Sequence, residues 1–113
     1  MSKLIAFATP IQEGKFQQWE QFINKINTDY RKEFSESRKN AGVHERTFLQ
    51  RTPMGDFVIV TLEGDNPMSS FAKMSQTQDS FTQWFLGEVK EIHGMDLSQP
   101  MPGPEPQLVV DSK

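Results

Sequence analysis

The chain holds only two imidazoles, His44 and His93, 49 positions apart in 113 residues. Histidine is the side chain whose ordinary pKa suits proton transfer near neutrality. His44 begins a strand-like segment beside Glu45 and Arg46. A strand-end histidine commonly sits partly in water. Turned towards the helices, it could act as a base or hydrogen-bond a ligand. His93 stands four residues after Val89 and directly before Gly94. In a last helical turn, a histidine ordinarily bonds the final carbonyls and complements the helix dipole. Its functional alternative is to line a pocket beside Trp84 and Phe85.

Arg46, Gln50 and Phe48 share a face with His44 by the two-residue period of a strand. If that face meets the helices, it brings three polar groups and one aromatic into an apolar cleft, the usual make-up of a small-molecule site. On an edge strand it could equally face solvent. The ligand-binding candidates are therefore His44, Arg46, Gln50, Trp84, Phe85 and His93. No catalytic residue is assigned.

Other chemistries find no support. The histidines lack any short ligand spacing, and there is no cysteine, so no metal site or thiol catalysis is expected. No nucleophile elbow or glycine-rich phosphate loop occurs, and no cofactor is expected. The net charge of -3 has no basic stripe, which argues against nucleic-acid partners. No apolar run approaches a membrane span, and the start lacks a signal-peptide layout, so a cytoplasmic location is expected.

The elements that must position these residues follow from patterning. Leu, Ile, Val and Phe make up 27 of 113 residues, enough for one core and one domain. Residues 4–9 are apolar on both alternating faces and predict a central strand. Phe16, Trp19, Phe22, Ile23, Ile26, Tyr30 and Phe34 recur at helical steps. They predict one rod of about 22 residues, roughly 33 Å long. Its stop signal is Asn40-Ala41-Gly42, with Arg38 and Lys39 at the negative end. Residues 43–51 predict a more polar strand. A Thr52-Pro53-Met54-Gly55 turn and a strongly apolar strand over 56–63 complete a hairpin. Asn66-Pro67 predicts the start of a short helix, and Asp79 or Ser80 that of a second one ending at Gly94. Four prolines crowd residues 99–106. Residues 98–113 thus read as a Pro-rich arm carrying a last strand at Leu108-Val109-Val110.

The predicted fold is α+β, with a ferredoxin-like β-α-β-β-α-β order, an antiparallel sheet, and the first and third strands in the middle. Those strands are greasy on both sides, whereas one chain supplies a single helical layer. A second copy is the simplest cover for the other face, and a homodimer is expected.

On this order, and on the segments Leu49 to Leu62-Glu63, Trp84-Phe85 and Glu91 to Leu97, the chain resembles the dimeric α+β barrel superfamily. That group includes antibiotic-biosynthesis-type monooxygenases and EthD-like proteins, and the chain looks most like an uncharacterised family within it. The resemblance implies a dimeric barrel with a small apolar ligand between sheet and helices. It also implies one of three roles: binding of unspecified chemistry, a cofactor-free monooxygenase- or isomerase-like enzyme, or a stress-response or regulatory binding protein. Haem-binding members use a helix histidine, but nothing besides His93 marks such a site here. Fold likeness alone does not select among these activities.

Overall fold

The computed structural model describes residues 2–99 and 104–113. It is an α+β structure of three strands and four helices. Strand β1 is Lys3–Pro10, helix α1 Phe16–Asn27, α2 Arg31–Asn40, β2 Val43–Thr52 and β3 Gly55–Gly64. A single 3-10 turn at Pro67–Ser69 runs into α3, Ser70–Ser75, and α4 covers Ser80–His93. The sheet is antiparallel with order β1-β3-β2.

The apolar strand β3 is therefore central, as its sequence predicts. Register splits the sheet into two faces. Ile5, Phe7 and Thr9 of β1 lie beside Leu62, Val60 and Val58 of β3, and these beside Glu45, Thr47 and Leu49 of β2. The helices pack on this face: Trp19, Phe22 and Ile26 from α1, and Phe81, Phe85, Val89 and Ile92 from α4, cluster with Val58. Met74 of α3 joins a second cluster with Leu62 and Val43. Gln18 ties α1 to α4 through Glu88 and Glu91 at 2.8 and 2.9 Å.

Local signals explain the boundaries. The Asp79 carboxylate accepts from the Thr82 amide at 2.7 Å, capping α4. Gly94 ends that helix with φ 70°, a left-handed conformation that disfavours a side chain. A methyl group at Gly94 would also strike the Gln12 amide. The Thr52 hydroxyl bonds the Gly55 carbonyl at 2.7 Å and receives the Met54 amide at 3.1 Å, closing the hairpin. Gly64, opposite Val43, runs so close to the Gly42 carbonyl that a Cβ would collide with it.

Three expectations are corrected. The single rod of about 22 residues predicted from Phe16 is two helices, because Thr28-Asp29-Tyr30 interrupts it. The Thr28 hydroxyl bonds back to the Asn24 carbonyl at 2.7 Å, and the Tyr30 amide reaches the Lys25 carbonyl at 2.9 Å. Threonine and aspartate are weak helix formers whose side chains compete for backbone partners. Tyr30 gains instead a stack on Trp84, with ring centroids 4.5 Å apart. The expected last strand is not formed: residues 104–113 carry no strand, and Leu108, Val109 and Val110 are 71–80 % exposed. The triplet pairs with neither free edge of the sheet, β1 or β2. As a consequence β1, expected in the middle, is an edge strand among the described residues. Part of the expected Pro-rich arm, residues 100–103, lies outside the described residues.

Candidate functional site

Between the helices and the inner sheet face lies a cavity of about 290 Å³. Trp19, Phe22, Phe34, Phe85 and Val89 supply helix-side apolar walls, and Phe7, Val58 and Val60 the sheet floor. Arg38, Glu45 and His93 supply its ionisable groups. Ligand cavities commonly run from roughly 300 to 1,000 Å³, with apolar walls and a few polar groups. This one sits at the small end of that range.

Arg38 and Glu45 form the main polar feature. The last turns of α2 deliver Arg38, and β2 delivers Glu45 after the Ala41-Gly42 turn. Arg38 Nε donates to Glu45 Oε1 at 2.7 Å, and Nη1 to the Ser37 hydroxyl at 3.0 Å. The two side chains are only 5 % and 8 % exposed. Arg38 Cζ lies 4.4 Å from the ring centroids of both Phe34 and Phe85, so the guanidinium stacks against two aromatic faces. The second Glu45 oxygen accepts from the Thr47 hydroxyl at 3.2 Å. Each carboxylate oxygen thus has a partner. The guanidinium has five N–H donors, of which two are used by partners among the described residues.

His93 is half-buried near the other end. Its Nδ1 lies 2.8 Å from the Pro10 carbonyl, which can only accept, so Nδ1 carries the proton. In the neutral ring the lone pair then sits on Nε2. Burial pushes the His93 pKa below its ordinary 6.5, outweighing the hydrogen bond to Pro10, which favours the charged form. The neutral imidazole is accordingly the dominant form at pH 7.

The six sequence candidates separate. Phe85 and His93 line the cavity. Trp84 instead packs on Phe22 and Tyr30, with centroids 5.3 and 4.5 Å apart, and is core support. Arg46 and Gln50 belong to the outer sheet face and are exposed, because their β2 parity is opposite to that of Glu45, Thr47 and Leu49. Arg46 pairs there with Glu63 at 3.3 Å, both well solvated. His44 shares that parity and is exposed. At the strand's beginning it borders an outer groove rather than the cavity.

Sequence reasoning missed Arg38 and Glu45 as site residues. The available signal was the Phe34–Arg38 spacing of four, which puts a cation on an aromatic stripe. Among the described residues no group of His, Asp and Glu is arranged to hold a metal ion.

Compared with known proteins, the chain matches no family model, no curated protein and no solved structure.

Proposed function

We propose that this protein binds a small, mostly apolar molecule between sheet and helices, as a homodimer of the dimeric α+β barrel type. The observation that carries the reading is the cavity itself: aromatic and aliphatic walls around one buried ion pair and one neutral imidazole. Such a composition excludes water from most of the surface and keeps a few fixed polar groups to orient a guest. The dimer rests on the outer sheet face. Ala8, Ile59 and Phe48 run across it in register, with Leu4 at its margin. Phe48 and Leu4 are 52 % and 56 % exposed in the single chain. A second copy seated on that face would bury them, and Leu108-Val109-Val110 could then pair with the free edge of the partner's β1.

Trp19 lines the cavity and reports on occupancy. In a Trp84→Phe background, titration with a medium-chain ketone such as 2-decanone should change Trp19 emission saturably. Val60→Phe, which places a ring in the cavity, should abolish that change. An emission unaffected by millimolar ketone, or identical in the Val60→Phe protein, would refute binding there.

His93 favours an enzymatic second reading. A half-buried imidazole held by Pro10, with its lone pair on Nε2, can take a proton from an acidic C–H or O–H group of the guest. His93→Gln would then stop turnover while leaving ligand affinity within about twofold, since a glutamine can still donate to Pro10. Turnover that survives the substitution would leave binding alone.

A further inference from the structure

Ile26, Asn27, Phe34, Arg38 and Glu45 line not only the cavity but also an open groove of about 620 Å³ between the α1–α2 region and the start of β2. The Arg38–Glu45 pair therefore stands at the threshold between the apolar slot and an open vestibule. The vestibule adds Arg31, Lys39 and His44. Its one carboxylate, Glu45, is already neutralised by Arg38, so Arg31 and Lys39 leave a positive mouth on a chain of net charge -3. The adjoining surface adds Lys32 against Asp29 and Glu36, which trims that excess without reversing it. A cleft of one sign over low-dielectric walls concentrates its field on an incoming ligand.

The slot's proportions point the same way. Glu45 and Leu49 both line it and are four strand residues apart, roughly 13 Å. Along that length its walls are apolar, with Val58 and Val60 on the sheet side and Phe22 and Phe85 on the helix side. An apolar slot behind a cationic mouth suits a tail and a head.

Resting on the cavity reading above, we infer that the ligand is an anionic amphiphile. Its apolar tail lies in the slot, with a length matched to that roughly 13 Å span. Its carboxylate or comparable anionic head lies in the vestibule, where it meets Arg31, Lys39 and the unused donors of Arg38. The ion pair would then act as a selectivity step. It is electrically neutral, so the tail passes it without a charge penalty, while the spare N–H groups of Arg38 hold the head at the threshold.

The test compares decanoate with 2-decanone, which shares the tail and lacks the charge, by Trp19 emission in the Trp84→Phe protein. Decanoate should bind about tenfold more tightly at low salt, and the difference should shrink as salt screens the mouth. The double substitution Arg31→Glu with Lys39→Glu changes only exposed residues outside the slot. It should weaken decanoate binding about tenfold or more and leave 2-decanone within about twofold. Far-UV circular dichroism checks that the double variant is folded, and Arg31→Gln with Lys39→Gln gives a milder change of the same sign. Equal affinities for acid and ketone, salt-independent binding, or a charge-reversed mouth that still prefers decanoate would overturn the anionic head and leave the cavity reading standing. Failure of both molecules to bind would overturn the two together.

Discussion

Replacing Arg38 with Met removes the cation from the Arg38–Glu45 pair and keeps most of the side-chain volume against Phe34 and Phe85. Glu45, 8 % exposed, would keep only the Thr47 hydroxyl and lose its 2.7 Å partner. Stranding one member of a buried pair costs about 3–5 kcal/mol. Solvent screening, which reduces exposed pairs to about 1 kcal/mol or less, is nearly absent at this depth. A domain of this size commonly has about 5–15 kcal/mol of stability in all. The Arg38→Met protein should therefore unfold at much lower urea, by at least about 1 M if m lies near 2 kcal/mol/M. The second step is Arg38→Met with Glu45→Leu. Apolar replacement of both members of a buried pair is often neutral or stabilising. The double variant should recover to within about 1 kcal/mol of the parent; since Glu45→Leu alone likewise strands Arg38, the two single losses together should exceed the double loss by about 5 kcal/mol or more. Urea unfolding followed by far-UV circular dichroism measures all four proteins. Additive single and double values would show that the pair does not shape stability, and would remove the grounds for treating it as a fixed polar feature of the cavity.

Stability should also depend on His93. Its folded pKa lies below 6.5, so between that folded value and 6.5 the unfolded chain binds more protons than the folded one. Stability must fall as pH drops through this window. His93→Gln should flatten the urea midpoint between pH 7.5 and 5, and an unchanged slope would contradict the burial argument. Gly94→Ala should cost about 1–2 kcal/mol from its left-handed backbone alone, measured by thermal unfolding, and the approach to Gln12 adds to it. Asp79→Ala should cost about 1 kcal/mol by removing the α4 cap; Asp79→Ser should restore most of that. Phe48→Glu on the outer sheet face should convert a two-chain mass in light scattering to a one-chain mass. A parent protein that is already monomeric at micromolar concentration would end the dimer proposal.

Much of the architecture was legible because it rests on period and punctuation. The apolar run Phe57 to Leu62, the Thr52 to Gly55 turn, and the Asp79 and Gly94 signals placed strands, hairpin and α4 within a residue or two. The break at Thr28-Asp29 was not legible, because the apolar stripe continues across it through Tyr30 and Phe34. A stripe records which residues are buried and says little about whether the axis bends. The last strand failed for a related reason. Leu108-Val109-Val110 has strand composition, but pairing depends on an edge the sequence does not locate. The site was half legible. His93 and Phe85 lie on a helix whose buried side was clear. The face of β2 was left open by its pattern, and the structure turns Glu45 and Thr47 inward and Arg46 and Gln50 outward. Burial of a charge is hard to foresee when its partner lies seven residues away across a turn, as Glu45 does from Arg38.

The bare crossing of Gly64 beneath the Gly42 carbonyl has a mechanical consequence. Val43, His44 and Glu45 leave that crossing directly, so the start of β2 is set by two main chains with no side chain between them. A single methyl at position 64 would meet the Gly42 carbonyl and force the start of β2 away from β3. The spacing between those two main chains therefore sets where β2 begins beside β3.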